Sequence, residues 1–512
     1  MSKKLEDMLK MKEKIMQGGG PASIKKQHER GKLTARERIN MLLDEDSFVE
    51  YGLWVKHRCT RFGMENVDVP AEGIITGFGS VGGRKVFVYA HDFTALGGSL
   101  GEMQAAKLMR LQELALEAKV PIIGLNDSGG ARIQEGPDAT YGPVFYNNVM
   151  ASGIIPQISA IMGPCAGGAS YSPALTDFTL MVDKTSQTFI TGPVVIKSIT
   201  GEDVDKEKLG GAMTQNSISG VAHLLAENDE DCLRQIKCLL SFLPENYEQL
   251  PPVCPSGDDP VRQDKELNII VPEDGRKAYD VKKIITSIAD SNFFFEIQPY
   301  FARNIVTGFI RMDGMSVGVV ANQTNWLAGC LDIDASCKAA RFIRTCDAFN
   351  VPLLSLVDVP GYLPGINQEY GGIIRHGAKM LYAWAEATVP KMMVALGKVY
   401  GGANPAMCSS DMRPDASFAW PTTQRAVMGA EGAVNILYAK EIKNSDNPDK
   451  VKKDYMEKYR EDFLNPYRAA ERGRYDDIIE PAQTRGKLIK ALHMFWGKRR
   501  YIPPRHHGNI PL

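Results

Sequence analysis

The sequence VFVYA at residues 86–90 opens a segment that the chain repeats about 231 positions later. This segment continues through Gly97-Gly98-Ser99 and a helix-like stretch to PIIGLND at 121–127. The repeat opens with VGVVA at 317–321 and reaches PLLSLVD at 352–358. A register kept through a strand, a helix and a second strand is too long for a solenoid unit. It predicts a duplicated domain.

Strand-like and helix-like stretches alternate through both halves of the chain. Residues 99–118, for example, predict an amphipathic helix ahead of the apolar strand at 122–125. This alternation favours parallel β-α-β units over a sandwich. The Pro- and charge-rich residues 243–267 lack periodicity and mark a boundary. The sequence therefore predicts an α/β fold of two tandem domains, residues 1–250 and 251–512.

The composition is that of an ordinary globular protein, with 44% hydrophobic and 24% charged residues among 512. A net charge of −1 gives no electrostatic footprint for nucleic acid. The nine cysteines are dispersed and form no C-x-x-C pair, which favours a reduced cytoplasmic setting over disulfides or a zinc site. We expect no membrane span, no targeting segment and no bound metal.

A glycine turn gives the strongest local signal for chemistry. The sequence GPCAGGASY at 163–171 follows an apolar strand, and VYGGA at 399–403 lies in the matching place of the repeat. Backbone amides can approach a ligand oxygen closely where no side chain intervenes, and a helix N-terminus adds partial positive charge. A single turn of this kind is more often a strand–helix packing turn. Two in register predict two oxyanion holes.

The loop NDSGGARIQEG at 126–136 follows a strand at the edge where open α/β sheets bind ligands. It is neither a Walker A loop nor a G-x-G-x-x-G turn. Arg132 could pair with a ligand phosphate or form a salt bridge within the loop, and the sequence leaves both open. His376 has no identifiable partner in the sequence, which favours a structural role over general-base catalysis.

Many further stretches resemble the carboxyltransferase subunit of biotin-dependent acyl-CoA carboxylases and decarboxylases, of the propionyl-CoA carboxylase β and methylmalonyl-CoA decarboxylase α type. The resemblance covers nearly the whole chain. The matching stretches include GKLTARERI (31–39), DFTALGGSLGEM (92–103), GPCAGGASYSPALTDF (163–178), LDIDASCKAARFIR (331–344), QEYGGIIRHGAK (368–379) and HGNIPL (507–512).

The resemblance implies two crotonase-like domains, with acyl-CoA on the first and carboxybiotin on the second. The amides of Gly167 and Gly168 would hold the thioester oxygen as it becomes an enolate. Those of Gly402 and Ala403 would hold the ureido oxygen of biotin, and biotin itself could then take the α-proton. The candidates for substrate binding are Gly129, Gly130, Ala131, Arg132 and Pro405, with Gly98, Ser99, Gly329 and Cys330 as weaker ones.

Three places depart from the family pattern. Gly397 replaces the expected Arg before Lys398, Pro405 stands where Asp, Leu or an aliphatic residue tunes acyl-chain choice, and Arg425 replaces Ile. The first and third bear on the biotin side, and the second on propionyl specificity.

The resemblance also implies partners. The chain has no Met-Lys-Met biotin-carrier motif and no nucleotide-binding loop. Biotin is therefore expected on a separate carrier protein, beside a biotin carboxylase or a membrane decarboxylase subunit that would hold the enzyme at the membrane periphery. The resemblance further implies a dimer-built homo-oligomer, a hexamer. Two alternatives are a crotonase-like hydratase or isomerase, and a non-catalytic scaffold subunit.

Overall fold

The computed structural model describes residues 2–275 and 277–512. The chain divides into two compact units, Met1–Gln249 and Leu250–Leu512. Each unit is a mixed α/β domain built on a single large sheet.

The sheet of the first unit has the strand order β1-β2-β3-β4-β5-β6-β8, with β7 paired to β5. Strands β1 to β3 pair antiparallel, and β3 to β8 pair parallel. The strands are β1 (Val49–Tyr51), β2 (Ile74–Val81), β3 (Arg84–His91), β4 (Ile122–Ser128), β5 (Gln157–Ala166), β6 (Phe178–Val182), β7 (Gln187–Phe189) and β8 (Leu224–Ala226).

The helices of the first unit connect these strands and form its N-terminal segment. They are α1 (Lys3–Met16), α2 (Pro21–Glu29), α3 (Ala35–Leu42), α4 (Glu102–Ala118), α5 (Gly142–Ala151), α6 (Gly168–Leu175), α7 (Pro193–Thr200), α8 (Lys206–Gly210), α9 (Ala212–Ser217) and α10 (Asp229–Phe242).

The second unit repeats the same strand pattern, in the order β9-β10-β11-β12-β13-β14-β16, with β15 paired to β13. The strands are β9 (Phe295–Ile297), β10 (Ile305–Met312), β11 (Met315–Asn322), β12 (Leu353–Val359), β13 (Lys391–Tyr400), β14 (Ala416–Ala419), β15 (Gln424–Ala426) and β16 (Asp477–Ile478). Its helices are α11 (Leu267–Ile270), α12 (Val281–Ile288), α13 (Ile333–Ala348), α14 (Ile366–Gly371), α15 (Ile373–Glu386), α16 (Ala403–Ala406), α17 (Ala430–Leu437), α18 (Ala439–Lys443), α19 (Pro448–Phe463), α20 (Tyr467–Glu471) and α21 (Thr484–Phe495).

The central strands are buried on both faces, as expected where crossover helices cover a parallel sheet. Every residue of β11 and of β12 is buried. A core cluster joins these strands to α12 and α21, with Ile284, Val319 and Leu488 fully inside it. A strand buried on both faces has apolar residues at nearly every position, which explains the runs VGVVA and PLLSLV in the sequence.

Two buried lysines in matching positions show the duplication at the level of single side chains. Lys107 on α4 donates from Nζ to the carbonyl oxygens of Ala71 and Ile74, at 2.7 and 2.6 Å. Lys338 on α13, 231 residues later, donates to the carbonyls of Gln298 and Ile305 at 2.8 Å. Burial lowers the pKa of Lys107 to about 8 and that of Lys338 to about 7. Each ammonium ties a crossover helix to the loop that enters the sheet.

Candidate functional site

The first glycine turn connects β5 to α6. Gly167 has φ 61° and ψ −125°, a conformation that only glycine adopts readily. Its amide donates to the carbonyl of Phe189 in β7 at 3.1 Å. The amides of Gly168 and Ala169 stand at the N-terminus of α6 and have no acceptor among the described residues. This turn therefore presents two adjacent free N–H donors at the carboxyl edge of the sheet.

The second glycine turn, between β13 and α16, repeats this arrangement. Gly401 has φ 54°, and its amide donates to the carbonyl of Ala426 in β15 at 3.1 Å. The next two amides, those of Gly402 and Ala403, find no acceptor in the described part of the chain. The two units thus offer equivalent pairs of donors at equivalent strand ends.

This geometry changes one detail of the sequence prediction. Gly167 was expected to supply a donor with Gly168, but its N–H already bonds to Phe189. The free pair is Gly168 and Ala169, which is in register with Gly402 and Ala403. The predicted donors of the second unit need no such change.

The two turns differ in what surrounds them. A Cβ added to Gly168 would lie 2.3 Å from Cδ2 of the buried Tyr141 ring, whereas a Cβ at Gly402 would meet no atom within 4 Å. The first turn is therefore packed against an aromatic ring. The second opens onto a cavity of about 640 Å³.

The predicted loop residues of the first unit converge on the first turn. Gly98 has φ 58°, and a Cβ there would come within 2.6 Å of the carbonyl of Asp127. Ser128 Oγ donates to the carbonyl of Gly98 at 2.7 Å. A Cβ at Gly130 would lie 3.0 Å from the carbonyl of Ala166, the residue before Gly167. The exposed Gly129 and Ala131 flank Gly130, and the half-buried Ser99 follows Gly98.

Gly329 and Cys330 repeat the geometry of Gly98 and Ser99. Gly329 has φ 77°, and an added Cβ would approach the carbonyl of Asp358 to 2.7 Å. Cys330 is half-buried, and burial raises the pKa of its thiol. Close backbone packing thus requires glycine at both Gly98 and Gly329, independently of any ligand.

Arg132 is not free to bind a ligand phosphate. Its side chain is 1% exposed, and Nη1 lies 2.6 Å from both Glu72 Oε1 and Glu135 Oε1. Nη2 also donates to the carbonyl of Ser99 at 3.0 Å. The salt-bridge interpretation is therefore the one that the geometry favours, and Arg132 fixes the loop that carries Gly129, Gly130 and Ala131.

His376 has a partner that the sequence did not indicate. Its Nδ1 lies 3.1 Å from Sγ of Cys337, which projects from α13 toward α15. Burial and the neighbouring cations Lys379 and Arg375 lower the pKa of His376. The imidazole is half-buried, and no acidic partner among the described residues pairs with it.

The two units stabilise equivalent buried carboxyl groups differently. Asp127, at the end of β4, is fully buried and pairs with Lys32 at 2.7 Å and with Arg38 at 3.0 Å. Both cations come from the N-terminal segment. Asp358, its counterpart on β12, instead accepts a hydrogen bond from Tyr279 Oη at 3.0 Å, and burial raises its pKa. These groups hold the strand ends beside each glycine turn.

Sequence reasoning singled out Arg425 on the biotin side but missed the other cations that line the second cavity. Gly401 and Gly402 form part of its wall, and the arginines that line it are Arg425, Arg468, Arg472 and Arg474. The signal was present as the run RAAERGR at 468–474. Without the fold, nothing connected this run with the turn at 401. Pro405 lies half-buried in α16 and is not part of this wall.

Neither a metal centre nor a membrane span emerges from residues 2–275 and 277–512. No group of three or more His, Cys, Asp or Glu side chains there is arranged to hold a metal ion. Within the same ranges, no helix combines the length and apolarity that crossing a bilayer requires.

Comparison with known proteins places these features in a family. The carboxyl transferase domain model matches residues 26–510. The chain is 55% identical to the methylmalonyl-CoA decarboxylase subunit alpha of Veillonella parvula, across 100% of this chain and 99% of the relative. It is 52% identical to the methylmalonyl-CoA carboxyltransferase 12S subunit of Propionibacterium freudenreichii subsp. shermanii, across 100% and 98%. It is also 52% identical to the human mitochondrial propionyl-CoA carboxylase beta chain, across 97% and 91%.

A solved structure matches the fold throughout. The transcarboxylase 12S crystal structure, described as a hexamer with methylmalonyl-coenzyme A and methylmalonic acid bound, superposes with a TM-score of 0.97 at 51% identity. The match covers 100% of this chain and 99% of that one. The predicted α/β, crotonase-like fold is confirmed. The chain belongs to the carboxyl transferase family.

Proposed function

We propose that this carboxyl transferase moves a carboxyl group between the α-carbon of a short acyl-CoA and biotin carried on a separate protein. Methylmalonyl-CoA and propionyl-CoA are the proposed pair of acyl-CoA esters. The observation that carries the proposal is the matched pair of free amides, Gly168–Ala169 and Gly402–Ala403, one in each unit. A hydratase or isomerase acts on one acyl-CoA and has no use for a second oxyanion hole.

On the acyl-CoA side, the amides of Gly168 and Ala169 hold the thioester oxygen. Negative charge grows on that oxygen as the α-carbon gains carbanion character. Donors fixed in advance stabilise this charge more than they stabilise the resting thioester, which lowers the barrier. The N-terminus of α6 adds its partial positive charge at the same point. Gly130 and the loop fixed by Arg132 form the adjacent wall.

On the second side, the residues fit a ureido carbonyl. Gly402 and Ala403 present free amides, and the space that a Cβ on Gly402 would take is empty. The adjoining cavity of about 640 Å³ has room for a compact bicyclic ring. When bound, biotin supplies the ureido nitrogen that carries the carboxyl group and afterwards accepts the α-proton. The protein's contribution is to hold the ureido oxygen and polarise it.

Biotin carboxyl carrier protein is the proposed source of that biotin, with a biotin carboxylase or a membrane decarboxylase subunit as a further partner. The relatives bear the names of a decarboxylase, a carboxyltransferase and a carboxylase. The half-reaction on this chain is common to all three. We therefore propose carboxyl transfer between acyl-CoA and biotin as the reaction of this chain. We infer that the partner subunits decide whether the acyl-CoA gains or loses the carboxyl group.

A decisive experiment follows carboxyl transfer from methylmalonyl-CoA labelled in its free carboxyl group to free biotin. We expect propionyl-CoA and labelled carboxybiotin to appear in equal amounts, and neither product when biotin is left out. A scaffold subunit would give neither product under any condition. Hydration or isomerisation of crotonyl-CoA at a comparable rate would favour the hydratase alternative and contradict the proposal.

A dimer-built hexamer is the proposed assembly, supported by the hexameric description of the 12S structure. If acyl-CoA bound to the first unit of one chain meets biotin bound to the second unit of a partner chain across a two-fold axis, each site needs two chains. Mixed dimers of a first-turn variant and a second-turn variant would then carry one intact pair of donors. Return of activity on mixing supports this. No return, with subunit exchange verified by mass, would place each site within a single chain.

A further inference from the structure

The cavity beside the second glycine turn is strongly cationic. Four guanidinium groups line it, and none of its described lining residues is acidic. Among the described residues, Asp411 is the only acidic group that forms ion pairs with these arginines, 3.6 Å from Arg425 and 2.7 Å from Arg474. One carboxylate against four guanidinium groups leaves a local excess of positive charge. A bound anion would balance this excess positive charge.

Arg425 is the best-placed of the four. It lies on β15, the strand that accepts the amide of Gly401 and so supports the turn. Its side chain is 15% exposed, and Nη1 is buried without a hydrogen-bond acceptor. Leaving a buried charged donor unpaired is costly, and a ligand oxygen would remove that cost. The guanidinium also lies 5.8 Å from the ring centroid of Tyr475. Burial raises the pKa of the Tyr475 hydroxyl and the guanidinium has the smaller, opposite effect, so Tyr475 is its neighbour on the protein side.

The duplication supplies an internal comparison. In the second unit, Arg425 lies opposite Val399 of β13 in the sheet. In the first unit, Thr188 lies opposite Cys165 of β5 at the same register. Thr188 is buried and uncharged. The same strand position beside the same glycine turn is therefore cationic in one unit and neutral in the other. Because the backbone register is equivalent in both units, the difference lies in this side chain, which also departs from the Ile of the family pattern.

We infer that this arginine cavity is a carboxylate subsite for the carboxyl group carried on the biotin ring. This inference rests on the proposed function and adds the residues that recognise the transferred group. Arg425 forms the inner wall, and Arg468 and Arg472, which have no ion-pair partner among the described residues, stand at the exposed rim. Guanidinium groups match the planar carboxylate geometry. The ring enters with its carbonyl at Gly402 and Ala403 and its carboxylate toward the arginines.

This arrangement has a consequence for the internal equilibrium of the enzyme. The arginines bind the carboxylated ring more tightly than the bare ring. They therefore raise the bound fraction of the carboxylated form and slow its loss of CO2 while it is bound. The carboxyl group then stays on the ring until the acyl-CoA is in place.

Calorimetric titration of the full-length protein with two probes tests the inference. One probe is biotin methyl ester, which is neutral. The other is biotin methyl ester with a carboxymethyl group on one ureido nitrogen, which adds a stable carboxylate. We expect the anionic probe to bind about ten- to a hundredfold more tightly than the neutral one, as one charge-assisted contact would give.

Arg425→Thr places the first unit's residue in the second unit and is expected to abolish that preference while the neutral probe binds as before. Arg468→Gln is expected to reduce it in part. Arg505→Gln removes a positive charge that pairs with Glu386 outside the cavity, and it should leave both affinities unchanged.

Each remaining outcome contradicts the inference in a distinguishable way. Equal affinities of wild type for the two probes would remove the carboxylate subsite and leave the ring site intact. Binding of neither probe would reject the proposed function itself. Equally tight binding of bicarbonate alone would assign the cavity to a free anion. A changed oligomeric mass in Arg425→Thr, with the preference intact, would assign the arginines to a subunit contact.

Discussion

A side chain at Gly402 is expected to stop carboxyl transfer to biotin without destabilising the protein. Gly402 has φ −68° and ψ −16°, in the helical region that any residue adopts. An added Cβ meets no atom within 4 Å, so neither strain nor a clash opposes Gly402→Ala or Gly402→Val. Replacing glycine where the backbone is compatible stabilises by about 0.4–1 kcal/mol. The new side chain would instead occupy the open space beside the amides and keep the ureido oxygen from reaching them. Loss of one such oxyanion contact costs about 2.7–4 kcal/mol, roughly a hundred- to a thousandfold in rate.

Three quantities are measured for each variant. They are the rate of carboxyl transfer from methylmalonyl-CoA to free biotin, the affinity for propionyl-CoA and the melting temperature. Gly402→Val should lose rate a hundredfold or more, keep its affinity for propionyl-CoA and melt no lower than wild type. Gly432→Val is the matched control, because it changes an exposed helical glycine of the same unit. Full activity in a folded Gly402→Val protein would refute the assignment of the Gly402 and Ala403 amides.

Three further predictions concern other parts of the molecule. Gly168→Ala should destabilise the protein because its Cβ would lie 2.3 Å from the Tyr141 ring; in a Tyr141→Leu background, compared with Tyr141→Leu alone, it should weaken only the use of acyl-CoA. Pro405→Asp should change the ratios of kcat/KM for acetyl-, propionyl- and butyryl-CoA by about 1–3 kcal/mol, and unchanged ratios would remove this position as a selector. Burial holds the pKa of Lys338 at about 7 in the folded protein, against 10.5 ordinarily. The unfolded chain therefore binds more protons between these values, and the free energy of unfolding should rise with pH from about 7 to about 10. Urea melts across that range should show this slope in wild type. Lys338→Met should reduce the slope, most clearly between pH 7 and 8, because Lys107, with a pKa of about 8, contributes above that range.

The features that follow a local pattern were predictable from the sequence. The 231-residue register predicted the duplication, and the alternation of apolar runs with helical stretches predicted the parallel sheets. Thr34 and Glu37 form the capping box that their spacing indicates at the start of α3. The two Gly-Gly steps fall between a strand and a helix, as predicted.

Features that depend on contacts between distant residues were not predictable. The amide of Gly167 is occupied by Phe189, 22 residues away, so the donor pair moves by one residue. Arg132 could have faced a ligand or the protein, and only the positions of Glu72 and Glu135 decide. The ion pair that joins Arg38 to Asp127 spans 89 residues. No spacing rule links such pairs.

The division of labour between the two glycine turns can be measured most directly by infrared difference spectroscopy. A ligand carbonyl that accepts two strong hydrogen bonds is polarised, and its stretching frequency falls. Propionyl-CoA labelled with ¹³C at the thioester carbonyl and biotin labelled at the ureido carbonyl would report on the two sites separately. We predict that both bands shift to lower frequency on binding to wild type. In Gly402→Val, only the ureido shift should disappear. Loss of the thioester shift instead, or an unshifted ureido band in wild type, would contradict the assignment of one oxyanion hole to each ligand.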